Sequence, residues 1–282
     1  MGKDVALVLS SGGARGLAHI GAIEELEAQG YRITSIAGCS MGALIGGVYA
    51  AGKLAEFRDW MKTVDRKKML ELTDFSFSLN HIVKGTRIIE AIMEFVPDVK
   101  IEDLPIPYCA VATDWVTGHE VVFREGSLFE AIRASISLPS FYEPVHRDGM
   151  ILIDGGVTNP IPLNRVVRKE GDILVGVDVS GHDYKAQSEM HHELAEKRKR
   201  STSLSQQILN KLIPDNLEFN YYTMLSRVSS ILIRQNSILM AQLMKPDILV
   251  DIQMARYGGF DFDKSEKLIA IGRQKTLQAL NK

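Results

Sequence analysis

Ile33-Thr34-Ser35-Ile36-Ala37-Gly38-Cys39-Ser40-Met41-Gly42 is the stretch on which the fold turns. Ile33 to Ala37 read as a short buried strand, and a glycine-flanked serine follows without a break. Next comes a helix of small residues that ends near Gly52. A G-x-S-x-G placed between a strand and a helix makes a tight turn that lifts the serine hydroxyl above the sheet edge. Gly38 and Gly42 are glycines because a side chain there would collide with neighbouring backbone as the chain reverses. The helix aims its positive N-terminus at the same point and favours developing negative charge. Ser40 is therefore the candidate nucleophile.

The surrounding sequence repeats the alternation of strand and helix. Val5-Ala6-Leu7-Val8-Leu9 is a continuous apolar run stopped by Ser10-Ser11-Gly12-Gly13, as expected of a strand buried on both faces. A helix follows, with Ile20, Ile23 and Leu26 on one face and Gly30 as its stop. Further strands are predicted at 108–113, 151–153, 173–179 and 248–252, and helices at 54–65, 86–95, 127–136 and 265–280. Val121 to Phe123, close behind Thr117-Gly118, suggest an antiparallel hairpin with 108–113. The fold class is α/β, with a mostly parallel sheet covered on both faces.

Residues 183–205 are polar, with His191-His192 and the run Lys197-Arg198-Lys199-Arg200, and read as a surface excursion. Pro214 and Asp215 then open a long helix, with Glu218 completing a capping-box pattern. Tyr221, Met224, Leu225, Val228, Ile231, Leu232, Leu239 and Leu243 carry an apolar stripe until Lys245-Pro246 stops it. At ~1.5 Å per residue this helix would be roughly 45 Å long, more than one domain face needs. A second copy of the protein or a membrane surface could cover the stripe, or the helix could kink and pack on its own sheet.

Composition bounds the function. The chain has 282 residues, 45% hydrophobic and 24% charged, and a net charge of −2, which argues against nucleic-acid binding. Cys39 and Cys109 are too few for a disulfide framework and read as reduced, buried thiols. Val5 to Leu9 is too short for a secretory signal, and no apolar run approaches the ~18 residues that span a bilayer. The expectation is a soluble, cytoplasmic protein whose contact with lipid, if any, is peripheral.

Ser11-Gly12-Gly13-Ala14-Arg15-Gly16 is the second chemical signal. Consecutive glycines before a helix expose N–H groups that can hold a phosphate or an oxyanion. A dinucleotide fold would need G-x-G-x-x-G and an acidic residue ending the second strand, but Ser11 stands at the first glycine and the second strand ends in the Ser40 turn. No P-loop motif exists either. The third signal is Asp154-Gly155-Gly156 after Ile151-Leu152-Ile153. Asp114 and Asp178 also follow apolar strands, so position alone does not choose among them. The glycines favour Asp154, because they remove side chains that would keep Ser40 away. None of the seven histidines has the context of a catalytic base, and no spacing fits a metal site.

Together, in this order, the three motifs resemble the patatin-like phospholipase family, which includes plant storage acyl hydrolases, the catalytic domain of cytosolic phospholipase A, neuropathy target esterase and many bacterial members. The resemblance extends through Arg133-Ala134-Ser135-Ile136-Ser137-Leu138-Pro139 and Asn159-Pro160-Ile161-Pro162. It implies a three-layer α/β/α sandwich and a Ser–Asp dyad of Ser40 and Asp154. It also implies an oxyanion hole from the backbone around Gly12, Gly13, Ala14 and Arg15, with no cofactor and no metal. Ser11 departs from the family's usual glycine; a small serine fits there if its φ is negative. Arg15 and Arg133 are candidate binders of a lipid phosphate, though a salt bridge or helix-end contact explains each as well. One patatin-like domain over 1–282 is expected, with a motif-bearing core at 5–180, a helical or loop excursion at 183–245 and a C-terminal strand and helix at 246–282. The function implied is a lipid acyl hydrolase of phospholipase A or lysophospholipase type. A carboxylesterase or thioesterase on soluble substrates, or a noncatalytic lipid-binding relative, are the alternatives.

Overall fold

The computed structural model describes residues 3–65, 67–68, 71, 91, 94–95, 99–139, 142–181, 188, 221–254, 257–259 and 261–282. Eight strands form one sheet: β1 (Asp4–Leu9), β2 (Arg32–Cys39), β3 (Tyr108–Asp114), β4 (Glu120–Phe123), β5 (Val145–Arg147), β6 (Met150–Asp154), β7 (Ile173–Gly181) and β8 (Ile248–Gln253). Their order is β5-β6-β3-β2-β1-β7-β8, with β4 also paired to β3. The β1, β2, β3, β7 and β8 ladders are parallel, as the strand–helix alternation implied. β4 forms the expected hairpin on β3.

β6 departs from the expected parallel order, because it pairs antiparallel to β3 and also to β5. β5 is only Val145-His146-Arg147, too short and too polar to show a strand period in sequence. The turn between β5 and β6 uses Asp148 and Gly149, both at positive φ, which fits a tight reversal.

The described helices are α1 (Ala18–Ala28), α2 (Met41–Ala50), α3 (Leu54–Lys62), α4 (Leu128–Ser135), α5 (Tyr221–Met244) and α6 (Ser265–Leu280). The helix expected at 86–95 falls mostly outside the described residues, as do His191-His192, the basic run at 197–200 and the start of the long helix at Pro214, Asp215 and Glu218. Successive residues of β1 face opposite cores. Val5, Leu7 and Leu9 join the large core beneath α1, α2, α3, α4 and α6, while the smaller Ala6 and Val8 face Ile161, Leu163 and Val166. Met240, Ala241 and Met244 of α5 pack onto that second core. The result is helix, sheet and helix in three layers.

Over its described 24 residues α5 is about 36 Å long. Its packed and unpacked faces are both apolar: Met224, Val228, Ile231 and Leu232 are exposed, as are Leu239 at 61% and Leu243 at 73%. Arg234 fastens the helix to the sheet, bonding Asp178 of β7 at 2.7 Å and Asp251 of β8 at 2.9 Å. No described helix is long and apolar enough to cross a membrane.

α1 and α6 approach backbone to backbone. A Cβ at Gly21 would lie 1.9 Å from the Ile269 carbonyl oxygen, and one at Gly272 would lie 1.9 Å from that of Ala18. Gly272→Ala should therefore push the helices apart and destabilise the protein by about 1–3 kcal/mol, read as a lower urea midpoint at unchanged slope.

Candidate active site

β3 sets the register of the site. Cys39, the last residue of β2, lies opposite Val111, and Asp154, the last residue of β6, lies opposite Ala112. Two segments more than a hundred residues apart thus end beside consecutive residues of one strand. Ser40 follows with φ 54° and ψ −123°, a region in which a side chain is strained, and α2 begins at the next residue. Close packing enforces this bend: a Cβ at Gly38 would lie 2.4 Å from the Gly42 carbonyl oxygen, and one at Gly42 would lie 2.2 Å from that of Leu9.

The Ser40 hydroxyl donates to Asp154 Oδ2 at 2.5 Å. The other carboxylate oxygen, Oδ1, accepts the Gly156 N–H at 2.7 Å, and the Asp154 N–H donates to the Ser137 carbonyl at 2.9 Å. Ser40 and Asp154 are both buried. Burial raises the Asp154 carboxyl to about 6, against the lowering effect of its bonds from Ser40 and Gly156. Cys39 is also buried, and its thiol lies well above its ordinary value, so it stays protonated and inert.

The other candidate carboxylates are committed elsewhere. Asp114 accepts from Val116, Thr117 and Ile151 and shapes the turn after β3, while Asp178 accepts from Ser180 and pairs with Arg234. His19 is fully buried, with Nε2 held 2.9 Å from the Ser10 carbonyl oxygen, and burial lowers it to about 4. His119 and His146 are exposed. Among the described residues no histidine bonds Ser40 or Asp154, and no group of three or more His, Cys, Asp or Glu is placed to hold a metal. His81, His182, His191 and His192 lie outside the described residues.

The glycine-rich loop closes the site from the β1 side. Gly13 has φ 58° and lies so close to Gly259 that a Cβ would fall 2.7 Å from its carbonyl oxygen. That carbonyl already accepts the Ala14 N–H at 2.7 Å. The N–H groups of Gly12 and Gly13 donate no hydrogen bond among the described residues. Arg15 Nε donates to the Gly12 carbonyl, and Arg133 donates to the Ser137 hydroxyl and the Glu143 carbonyl. Both arginines thus make short-range contacts that brace their own loops.

One site residue had no role assigned from sequence. Ser135, fully buried at the end of α4, accepts the Ser40 N–H on its hydroxyl at 2.8 Å and donates its own O–H to the Val111 carbonyl at 2.6 Å. It lies within the Arg133–Pro139 stretch that carries the family resemblance, which was the only sign of it in the sequence.

The patatin-like phospholipase family profile matches residues 7–167, more than half of the chain. An NTE family protein of Mycobacterium tuberculosis is 46% identical over 179 residues, which cover 64% of this chain and 50% of that protein. Patatin-like phospholipase domain-containing protein 6 of Mus musculus is 33% identical over 190 residues, 64% of this chain and 14% of that protein. Neuropathy target esterase sws of Drosophila melanogaster is 31% identical over 189 residues, 64% of this chain and 13% of that protein. The chain spans half or less of the length of these curated relatives. Among solved structures, VipD from Legionella pneumophila shares the fold, with a TM-score of 0.51 at 14% identity over 99% of this chain and 67% of that one.

Replacing Ser135 by alanine leaves the Ser40 N–H buried without an acceptor, which costs about 1–3 kcal/mol. Labelling of Ser40 by a fluorophosphonate should slow by about tenfold or more, while circular dichroism stays that of the wild type. An unchanged labelling rate would show that the elbow does not depend on this bond.

Proposed function

The chain belongs to the patatin-like phospholipase family, and we propose that it is a serine acyl hydrolase that cleaves carboxylic ester bonds of lipids through a Ser40–Asp154 dyad. The observation that carries this reading is the direct bond from the Ser40 hydroxyl to a buried carboxylate. The proton passes from Ser40 Oγ to Asp154 Oδ2 as Oγ attacks the ester carbonyl carbon. Negative charge on the carbonyl oxygen is met by the N–H groups of Gly12 and Gly13 and by the N-terminus of α2. Collapse expels the alcohol, which takes the proton from Asp154. A water then repeats the sequence on the acyl-enzyme and releases the acid. No step calls for a metal or a cofactor.

An ordinary carboxylate near 4 is a weak base for a serine hydroxyl. With its value raised to about 6, Asp154 is a better base and is still ionised at neutral pH. The residues from 246 onward complete the unit begun by the motif-bearing core, since β8 pairs with β7 and α6 packs on α1.

Exposed apolar surface supports a lipid over a soluble substrate. Trp115 at 64% and Val116 at 68% stand exposed just after β3, beyond the residue that pairs with Leu152 of the Asp154 strand. Val157, three residues after Asp154, is exposed too, and so are Leu239 and Leu243 on α5. We therefore read this surface as a peripheral contact with a membrane. A second copy of the protein covering α5 is the competing occupant.

Ser40→Ala should abolish hydrolysis of both p-nitrophenyl esters and phospholipid vesicles with the fold intact, and Asp154→Asn should do nearly the same. Each single His→Ala variant should keep most of its activity; one that falls as far as Asp154→Asn would make a triad of the dyad. Because protonated Asp154 cannot accept a proton, the wild-type rate should fall as pH drops through about 6.

The membrane contact is tested by pelleting on anionic vesicles, which Leu239→Gln with Leu243→Gln should weaken. A dimer in light scattering that the same double variant splits would instead assign the face to a second copy.

A further inference from the structure

Ser11 stands at the front of the oxyanion loop, where a glycine would serve the backbone equally well. Its φ is not in the left-handed region, so the side chain sits there without strain. Its N–H donates to the Pro160 carbonyl at 2.8 Å, which ties the end of β1 to the segment following Asp154. The residue is 4% exposed, and its buried hydroxyl has no hydrogen-bond partner among the described residues. A buried hydroxyl left in that state is costly unless something nearby uses it.

What lies nearby is the carboxylate of Asp154. A Cβ on Gly156 would fall 3.1 Å from Ser11 Oγ and 3.0 Å from Asp154 Oδ1, so glycine at this position keeps open a space that the two oxygens share. Among the described residues Oδ1 accepts one bond, from the Gly156 N–H, and a carboxylate oxygen can accept two.

We propose that Ser11 is a positioning residue for Asp154: its hydroxyl donates to Oδ1, through one water or after rotation about χ1, and favours the ionised carboxylate that takes the Ser40 proton. This rests on the Ser40–Asp154 reading above. Loss of the donor removes a bond made to the charged form, so the carboxyl should titrate at higher pH.

Several charged or titratable groups lie on the elements around the site. Cys39 of β2 and Tyr142, between α4 and β5, both feel its charge, and burial holds both neutral. Arg133 of α4 reaches it only through Ser137 and stays charged, and β3 presents the neutral Thr113. Asp178 of β7 and Arg234 of α5 are paired with each other, and His19 of α1, behind Ser10, titrates near 4. His146 of β5 is exposed and pairs with Ile151, so His146→Gln serves as the control.

The experiment is the pH dependence of kcat/KM on a p-nitrophenyl ester, and of fluorophosphonate labelling at Ser40, for wild type, Ser11→Ala, Ser11→Gly and His146→Gln. The acid limbs of both Ser11 variants should move to higher pH by about half a unit or more, with the high-pH plateau kept within about twofold. The limb of His146→Gln should coincide with wild type. An unmoved acid limb in both Ser11 variants overturns the proposal, as does a plateau that drops while the limb stays in place, the mark of a purely structural residue. An Asp154→Asn enzyme that keeps the wild-type limb would remove the dyad itself, a failure separate from that of Ser11.

Discussion

Ser40 is held in a backbone conformation that its own side chain disfavours, and most of the site can be understood as the means of keeping it there. φ 54° with ψ −123° is strained for any residue with a Cβ. Three restraints converge on it. Gly38 and Gly42 let the flanking backbone close to distances no side chain would allow, Ser135 captures the serine's N–H, and Asp154 captures its hydroxyl. Because β3 sets both Cys39 and Asp154, and its Val111 carbonyl anchors Ser135, one strand carries the geometry of all three.

The same burial that fixes the site shapes its electrostatics. A carboxylate out of water resists ionisation, and the bonds from Ser40 and Gly156 only partly offset this. The balance leaves Asp154 near 6, between an ordinary carboxylate and a histidine. On the proposed reading, that value suits a base working near neutrality, whereas the buried histidine, His19, stays neutral and turned toward Ser10. In the proposed mechanism the N–H groups of Gly12 and Gly13, which donate no bond among the described residues, would lower the demand on the base, since charge that has somewhere to go needs less pull.

Local patterns in the sequence carried most of the fold. The strands of the parallel ladder are mostly apolar and buried along nearly their whole length, and the elbow announces itself because its steric need for glycine lies within five residues. What was not legible depended on distant contacts. Asp114, Asp154 and Asp178 look alike from position, and only the pairing of β6 with β3 brings one of them to Ser40. β5 left no trace because three half-polar residues have no period to read. Ser135 belonged to a recognisable stretch, yet its bond to a residue 95 positions away has no local signature. Likewise, the glycine loop suggested four equivalent residues, whereas Gly259, far along the chain, takes the Ala14 N–H and leaves those of Gly12 and Gly13.

The close crossing of α1 and α6 has a consequence for how the molecule comes into being. α1 follows the oxyanion loop at the start of the chain, and its small-residue face meets nothing that fits it until Gly272 has been synthesised. Ser40, Ser135 and Asp154 have left the ribosome well before then, but the layer that supports them has a missing wall. The central β1 likewise waits for β7 to cover its outer edge, and β7 for β8. Such non-local closure makes folding slow and leaves apolar surface uncovered during synthesis. The fold is therefore assembled late and as a whole, and a nascent chain that already carries Ser40 and Asp154 does not yet hold them in place.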